Sequence, residues 1–204
     1  SKKDCPDEEV RIERQTIRDF ILILSNTCLR VGELRQMRWS DVVATEKGRD
    51  ASGLDVNLIT LKVRSETSKT RTSRTIITRG GEYFKRVRTY SKFIGKDDYI
   101  FPNAQGTNHI DERKMYPYWY DLMEKTGFPD YEQRKLTFYS LRHYAITLRL
   151  KDLSIWEVSR LAGTGVNYIQ DHYGHETMED KKLSALKYSQ RDRTSISNAV
   201  NWDD

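Results

Sequence analysis

The spacing of apolar residues changes period twice along this chain, and that double change restricts the fold more than any single motif. Over residues 9–28 the apolar side chains recur at helical intervals. Val10, Ile17, Phe20, Ile21, Leu24 and Cys28 share one face, with Arg11, Arg14 and Arg18 elsewhere. Between Leu54 and Thr78 the interval falls to two: Asp55–Val63 largely alternates, and Arg74–Thr78 forms a later run. After Gly80-Gly81 the helical interval returns, over about 82–94, 111–126, 136–150 and 155–162, and again in the segment holding Tyr173. The pattern predicts a mostly α protein with a small antiparallel β-sheet, an α+β class. Tyr99–Pro102 reads as a short buried strand or extended link. At 204 residues the chain can bury a real core as one large domain or two small ones.

Several function classes are disfavoured early. The longest wholly apolar run, Phe20–Leu24, is far short of the roughly 20 residues that cross a bilayer, so no membrane partner is expected. Cys5 and Cys28 fit no metal-site spacing and make a poor disulfide framework, which favours a reducing intracellular setting. The opening Ser-Lys-Lys-Asp has no signal-peptide pattern, and so abrupt a polar start is expected of a fragment. Lys and Arg exceed Asp and Glu by 35 to 30, a modest surplus whose placement matters more than its size.

Three placements stand out. In SNTCLRVGELRQMRWSDV, Arg30 sits at the joint between two helices, with Gly32 just after it. The plain alternative is a surface or ion-paired arginine, with Glu33 three residues on. In SETSKTRTSR, Lys69, Arg71 and Arg74 lie near a hairpin tip, where a lysine is a mobile point charge that reaches a groove or is simply solvated. In LTFYSLRHYAITLRL, Ser140 is expected to cap a helix whose buried face is Leu141, Tyr144, Ala145 and Leu148. That puts Arg142 in the first turn, where free N–H groups favour an anion and a cation is misplaced unless one binds. Ser154 caps the next helix, and Gly163-Thr164-Gly165 breaks it. Beyond lies Tyr173, in line with Val166 and Ile169; on spacing alone such a tyrosine is a core aromatic far more often than a reactive one.

Taken in order, TCLRVGELRQMRW, a lysine-bearing hairpin, YSLRHYAIT and LAGTGVNYIQDHYGH resemble the catalytic domain of the tyrosine recombinases, the phage integrase family. The resemblance runs from about residue 10 to 190, leaving 1–9 as a linker and 191–204 as a mobile tail. It implies that Arg30 and Arg142 grip a scissile phosphate, that Lys69 is the acid for the leaving 5′ oxygen, and that Tyr173 is the nucleophile. Glu33 is implied to steady the first arginine. Where the family commonly has histidine, this chain has Tyr139, and where it has histidine or tryptophan, Thr164. Both can still donate a hydrogen bond to a phosphate oxygen, but neither shuttles protons near pH 7. His143, His172 and His175 lie nearby in sequence, with packing or capping as their simpler roles.

The chemistry agrees with these roles. A phosphodiester repels nucleophiles, and two guanidiniums can neutralise its non-bridging oxygens and the crowded pentacoordinate state. A phenol with a pKa of about 10 needs such activation to attack at neutral pH. A 3′-phosphotyrosine conserves the bond energy, so rejoining calls for neither ATP nor metal and no cofactor is expected; no Asp, Glu and His cluster suits two-metal cleavage. The resemblance implies double-stranded DNA as the partner, with Lys69, Arg71, Arg74, Lys85, Arg86, Arg88, Arg113 and Lys114 as candidate phosphate contacts. The resemblance further implies tetramer assembly on DNA through the C-terminal tail, accessory DNA-bending proteins, and a bacterial or phage-encoded protein acting in the cytoplasm. It also implies an N-terminal DNA-clamping module that has no counterpart in these residues. The alternatives are a type IB topoisomerase-like nicking and resealing enzyme and a DNA-binding relative with weakened catalysis.

Overall fold

The computed structural model describes residues 7–50, 52–128 and 130–174. The chain divides into two compact units, one ending at Val166 and the other starting at Asn167. The expected tail, with His175, lies outside the described residues.

Helix α1, Glu8–Thr27, starts where Asp7 accepts a bond from the Glu9 amide at 2.9 Å, capping an otherwise unpaired donor. Its apolar stripe, Ile17, Phe20, Ile23 and Leu24, is buried. Phe20 anchors the core, edge-on to Phe101 at 5.0 Å and to Phe138 at 5.9 Å between ring centres. The helix stops at Cys28, whose φ of 56° turns the chain into helix α2, Val31–Arg35.

Strands β1 (Val42–Arg49), β2 (Asp55–Val63) and β3 (Arg74–Arg79) form an antiparallel sheet in the order β1-β2-β3. In β2 and β3, Ile59, Leu61, Val63 and Ile76 enter the core, as alternation predicts. Strand β1 has no counterpart in the sequence pattern. It is an edge strand with scarcely a buried residue, so its pairing with β2 leaves no period-two signal.

Helix α3, Gly81–Tyr90, is shorter than the expected 82–94. Gly80, at φ 106°, makes the turn into it. The Tyr99–Pro102 segment forms isolated bridges, Arg38 to Tyr99 and Pro102 to His109, and Ile100 and Phe101 are buried. Helix α4, Glu112–Lys125, is capped by Asp111 and buries Met115, Trp119 and Met123.

Helix α5, Phe138–Arg149, corrects the reading around residue 140. Its cap is Thr137, and Ser140 is the reciprocal partner in a capping box, its Oγ accepting from the Thr137 amide at 3.0 Å. Arg142 is therefore the fifth helical residue, past the free amides of the first turn, and the argument from a helix N-terminus does not apply to it. The buried face is Phe138, Arg142, Ala145 and Ile146, while Tyr144 and Leu148 are exposed. Helix α6, Ile155–Ala162, has the expected Ser154–Glu157 capping box and ends at Gly163 with φ 61°.

Helix α7, Val166–Tyr173, follows Gly163-Thr164-Gly165 and carries the described part of the second unit. Ile169 is its buried residue, and Tyr168 stacks on His172 with ring centres 4.0 Å apart. No described helix is long and apolar enough to cross a membrane.

Candidate active site

The C-terminal end of α6 gathers three arginines from distant segments. Arg74 Nε donates to the Leu161 carbonyl at 3.3 Å, Arg142 Nη2 to Ala162 at 2.9 Å, and Arg30 Nη2 to Gly163 at 2.7 Å. The last carbonyls of a helix have no partner inside it and carry the negative end of its dipole. One guanidinium satisfies each of these three in turn. The two arginines expected to act together, Arg30 and Arg142, thus come from α2 and α5 onto adjacent residues.

Arg30 sits at the N-cap of α2, where Glu33 accepts its backbone N–H at 2.9 Å and its Nη1 at 2.9 Å. The expected Arg30–Glu33 pair is present. Glu33 also takes a two-pronged bond from Arg74, Nη1 at 3.0 Å and Nη2 at 2.8 Å. Burial pushes the Glu33 carboxyl up, but the Arg74 guanidinium and then Arg30 outweigh it, leaving the pKa below the ordinary value. Arg74, a candidate phosphate contact by its place near a hairpin tip, is paired with Glu33 and has 12% of its side chain exposed.

Arg142 is 2% exposed. Its Nη1 donates to the Cys28 carbonyl, which the left-handed turn at Cys28 aims back toward α5. Burial lowers the Arg142 pKa, and the neighbouring Arg30 charge lowers it further. Burial likewise pushes the Cys28 thiol up, to about 11. Tyr139, one turn before Arg142, is exposed and meets His143 edge-on at 4.9 Å.

Beside this cluster lies a shallow, open cavity of about 470 Å³. Thr70, Thr72 and Arg74 wall it from the hairpin; Ser159, Gly163 and Thr164 wall it from the end of α6. Thr164 is fixed by its own backbone, its carbonyl accepting from Ser159 Oγ at 2.6 Å and its amide donating to the Ser159 carbonyl at 3.2 Å. Lys69 and Thr70 are the two central residues of the turn closed by the Arg71 amide on the Ser68 carbonyl at 3.0 Å. Lys69 and Arg71 are exposed there, next to the cavity wall. Tyr173 is half-buried and closes α7 in the second unit.

Among the other expected phosphate contacts, Arg86 is committed to Asp19, a fully buried carboxylate that also accepts from Tyr90 at 3.0 Å. Arg88 lies over the Trp39 ring at 5.3 Å. Lys85, Arg113 and Lys114 are exposed. Sequence reasoning missed the Arg74–Glu33 and Asp19–Arg86 pairs, which join residues 41 and 67 positions apart with no local signal. Among the described residues no group of three or more His, Cys, Asp or Glu could hold a metal ion.

Residues 8–180 match the profile of the phage integrase family. No curated protein matches the sequence. Solved structures share the fold, among them three recombinases. The XerH site-specific recombinase in a pre-cleavage complex with its difH substrate aligns at TM-score 0.61 and 16% identity, over 93% of this chain and 50% of that one. The XerA recombinase aligns at 0.55 and 21%, over 92% and 64%. The Tn1549 transposon integrase, in complex with transposon right end DNA, aligns at 0.54 and 18%, over 90% and 65%. The chain thus spans half to about two thirds of the length of these proteins.

Proposed function

The chain belongs to the phage integrase family, and on that premise we propose that it is a site-specific DNA recombinase working through a 3′-phosphotyrosyl intermediate. The Tyr173 phenol oxygen attacks the scissile phosphorus, the bond to the 5′ oxygen breaks, Lys69 supplies that oxygen's proton, and the phenol proton leaves to solvent. Arg30 and Arg142 carry the charge of the pentacoordinate phosphorus. Tyr139 and Thr164 donate hydrogen bonds where an imidazole or indole is common in the family. A second strand's 5′ hydroxyl reverses the step and rejoins the DNA.

The observation that carries this reading is the meeting of Arg30 and Arg142 at the end of α6, beside a cavity bounded by the lysine-bearing turn and Thr164. Three guanidiniums and one carboxylate leave that cluster a net charge of +2, suited to a phosphodiester. The DNA complexes of the XerH recombinase and the Tn1549 integrase support duplex DNA as the partner. Assembly into a tetramer and help from DNA-bending proteins belong to the same reading.

A second reading, a DNA-binding relative with slow chemistry, draws on the burial of Arg142 and its donation to two backbone carbonyls. One experiment separates the two. The protein is mixed with a pool of nicked duplexes of randomised sequence, in which cleavage releases a short strand and traps the enzyme. The strand-transfer reading expects a denaturant-stable DNA adduct from the wild type, mapped to Tyr173, and none from Tyr173→Phe. No adduct from the wild type, or an undiminished one from the variant, refutes it.

A further inference from the structure

Arg74 reaches a carboxylate that Arg30 already occupies. Its Nη1 and Nη2 lie 3.0 and 2.8 Å from the two Glu33 oxygens, and the Glu33 side chain is 1% exposed. Arg30 Nη1 holds one of the same oxygens at 2.9 Å. A buried carboxylate paired with Arg30 alone would cancel the charge that a phosphate needs there, because opposite charges at such range are little screened. The second guanidinium changes the balance: Arg30, Glu33 and Arg74 together keep one positive charge.

A close approach secures this arrangement. A Cβ on Gly163 would lie 2.6 Å from Arg74 Cζ, so the guanidinium occupies the space of a missing side chain. Its Nε is meanwhile tied to the Leu161 carbonyl.

We propose that Arg74 is a positioning residue that offsets Glu33, so that Arg30 presents an uncompensated positive charge to the scissile phosphate while Arg74 itself does not touch DNA. The inference rests on the strand-transfer reading above. It replaces the phosphate contact that the hairpin position of Arg74 had suggested.

The test uses a duplex selected from the nicked pool, carrying either the natural scissile phosphate or a neutral methylphosphonate, with Arg74→Met, Arg74→Lys, and Arg74→Met combined with Glu33→Gln. Adduct formation is timed at saturating DNA, and duplex affinity is measured separately by anisotropy. Arg74→Met is expected to slow adduct formation about a hundredfold, the scale of losing one preorganised charge donor, with affinity changed less than about threefold. Adding Glu33→Gln restores the cluster charge and recovers most of the rate. On the methylphosphonate the Arg74→Met defect shrinks below about tenfold, since there is less charge to offset.

Arg74→Lys keeps the charge and stays within about tenfold of wild type; a hundredfold loss in folded Arg74→Lys overturns the charge argument even if Arg74→Met does not fold. A double variant no faster than Arg74→Met marks a purely structural role and overturns it too. So does an unchanged rate with weaker affinity and a salt slope reduced by about one, the signature of a direct phosphate contact. A wild type that forms no adduct removes the strand-transfer reading and this inference with it. A reactive wild type with an equally reactive Arg74→Met removes only this inference.

Discussion

Replacing Gly163 with alanine probes the packing of the site without removing a charged group. Two costs are expected. The first is backbone strain, since Gly163 has φ 61° and an L side chain in that conformation costs about 1 kcal/mol. The second is steric: the new Cβ falls 2.6 Å from Arg74 Cζ and Nη1, so the guanidinium must leave. Leaving breaks at least one of its charge-assisted bonds to Glu33, each worth about 1.5–3 kcal/mol. Gly127 supplies the control, at φ 80° with nothing within 4 Å of an added Cβ. Gly127→Ala should therefore cost only the strain. Urea unfolding followed by circular dichroism, with equal slopes required across variants, should place Gly163→Ala about 1.5–3 kcal/mol below Gly127→Ala. A gap under about 0.5 kcal/mol would mean that Arg74 yields freely, and the reasoning that its place is fixed would be wrong.

Three further outcomes follow from the same site. Glu33→Gln should cost about 3–5 kcal/mol at pH 7, the scale for breaking a buried ion pair. Because the folded pKa of Glu33 is depressed, its contribution is present above its ordinary value of 4.5 and lost as pH falls through the folded value. The stability gap between wild type and Glu33→Gln should thus narrow on acidification, read from urea midpoints at pH 7 and pH 3.5. The Cys28 thiol behaves with the opposite sign: its folded pKa is raised from 9.0 to about 11, so its contribution is full below pH 9 and lost on going to 11. Wild type should lose about 2–3 kcal/mol over that interval relative to Cys28→Ala, measured by denaturation at each pH. Tyr139→His should change the rate of adduct formation less than about tenfold if charge stabilisation by Arg30 and Arg142 dominates; a gain of several hundredfold would show that a missing base had been limiting.

Much of the framework could be read from residue spacing because burial is periodic in it. The stripes of α1 and α4 and the alternation in β2 and β3 point one face at the core, and α6 carries its own start and stop signals in Ser154 and Gly163. Where burial is absent the signal vanishes, as in β1, which is held by backbone bonds to β2 and shows its side chains to solvent. Around α5 the error had another origin. Thr137 and Ser140 are both capping residues, and the choice between them moves every side chain of the first turn; only the core position of Phe138 settles it. The conspicuous residues Arg30, Glu33 and Arg142 did come together. Arg74 could not be placed in advance, since an arginine at a strand end looks alike whether it faces solvent or a carboxylate 41 residues away.

The row of guanidiniums on Leu161, Ala162 and Gly163 also bears on how the protein is made. Synthesis runs from the N-terminus, and early segments collapse while later ones are still being added. Arg30 and the hairpin are finished long before their anchor at Gly163, 133 residues after Arg30, leaves the ribosome. Until then those cations have no helix end to align on and stay hydrated. A product that stops before α6 therefore carries Arg30 and Arg74 without the helix end that aligns them.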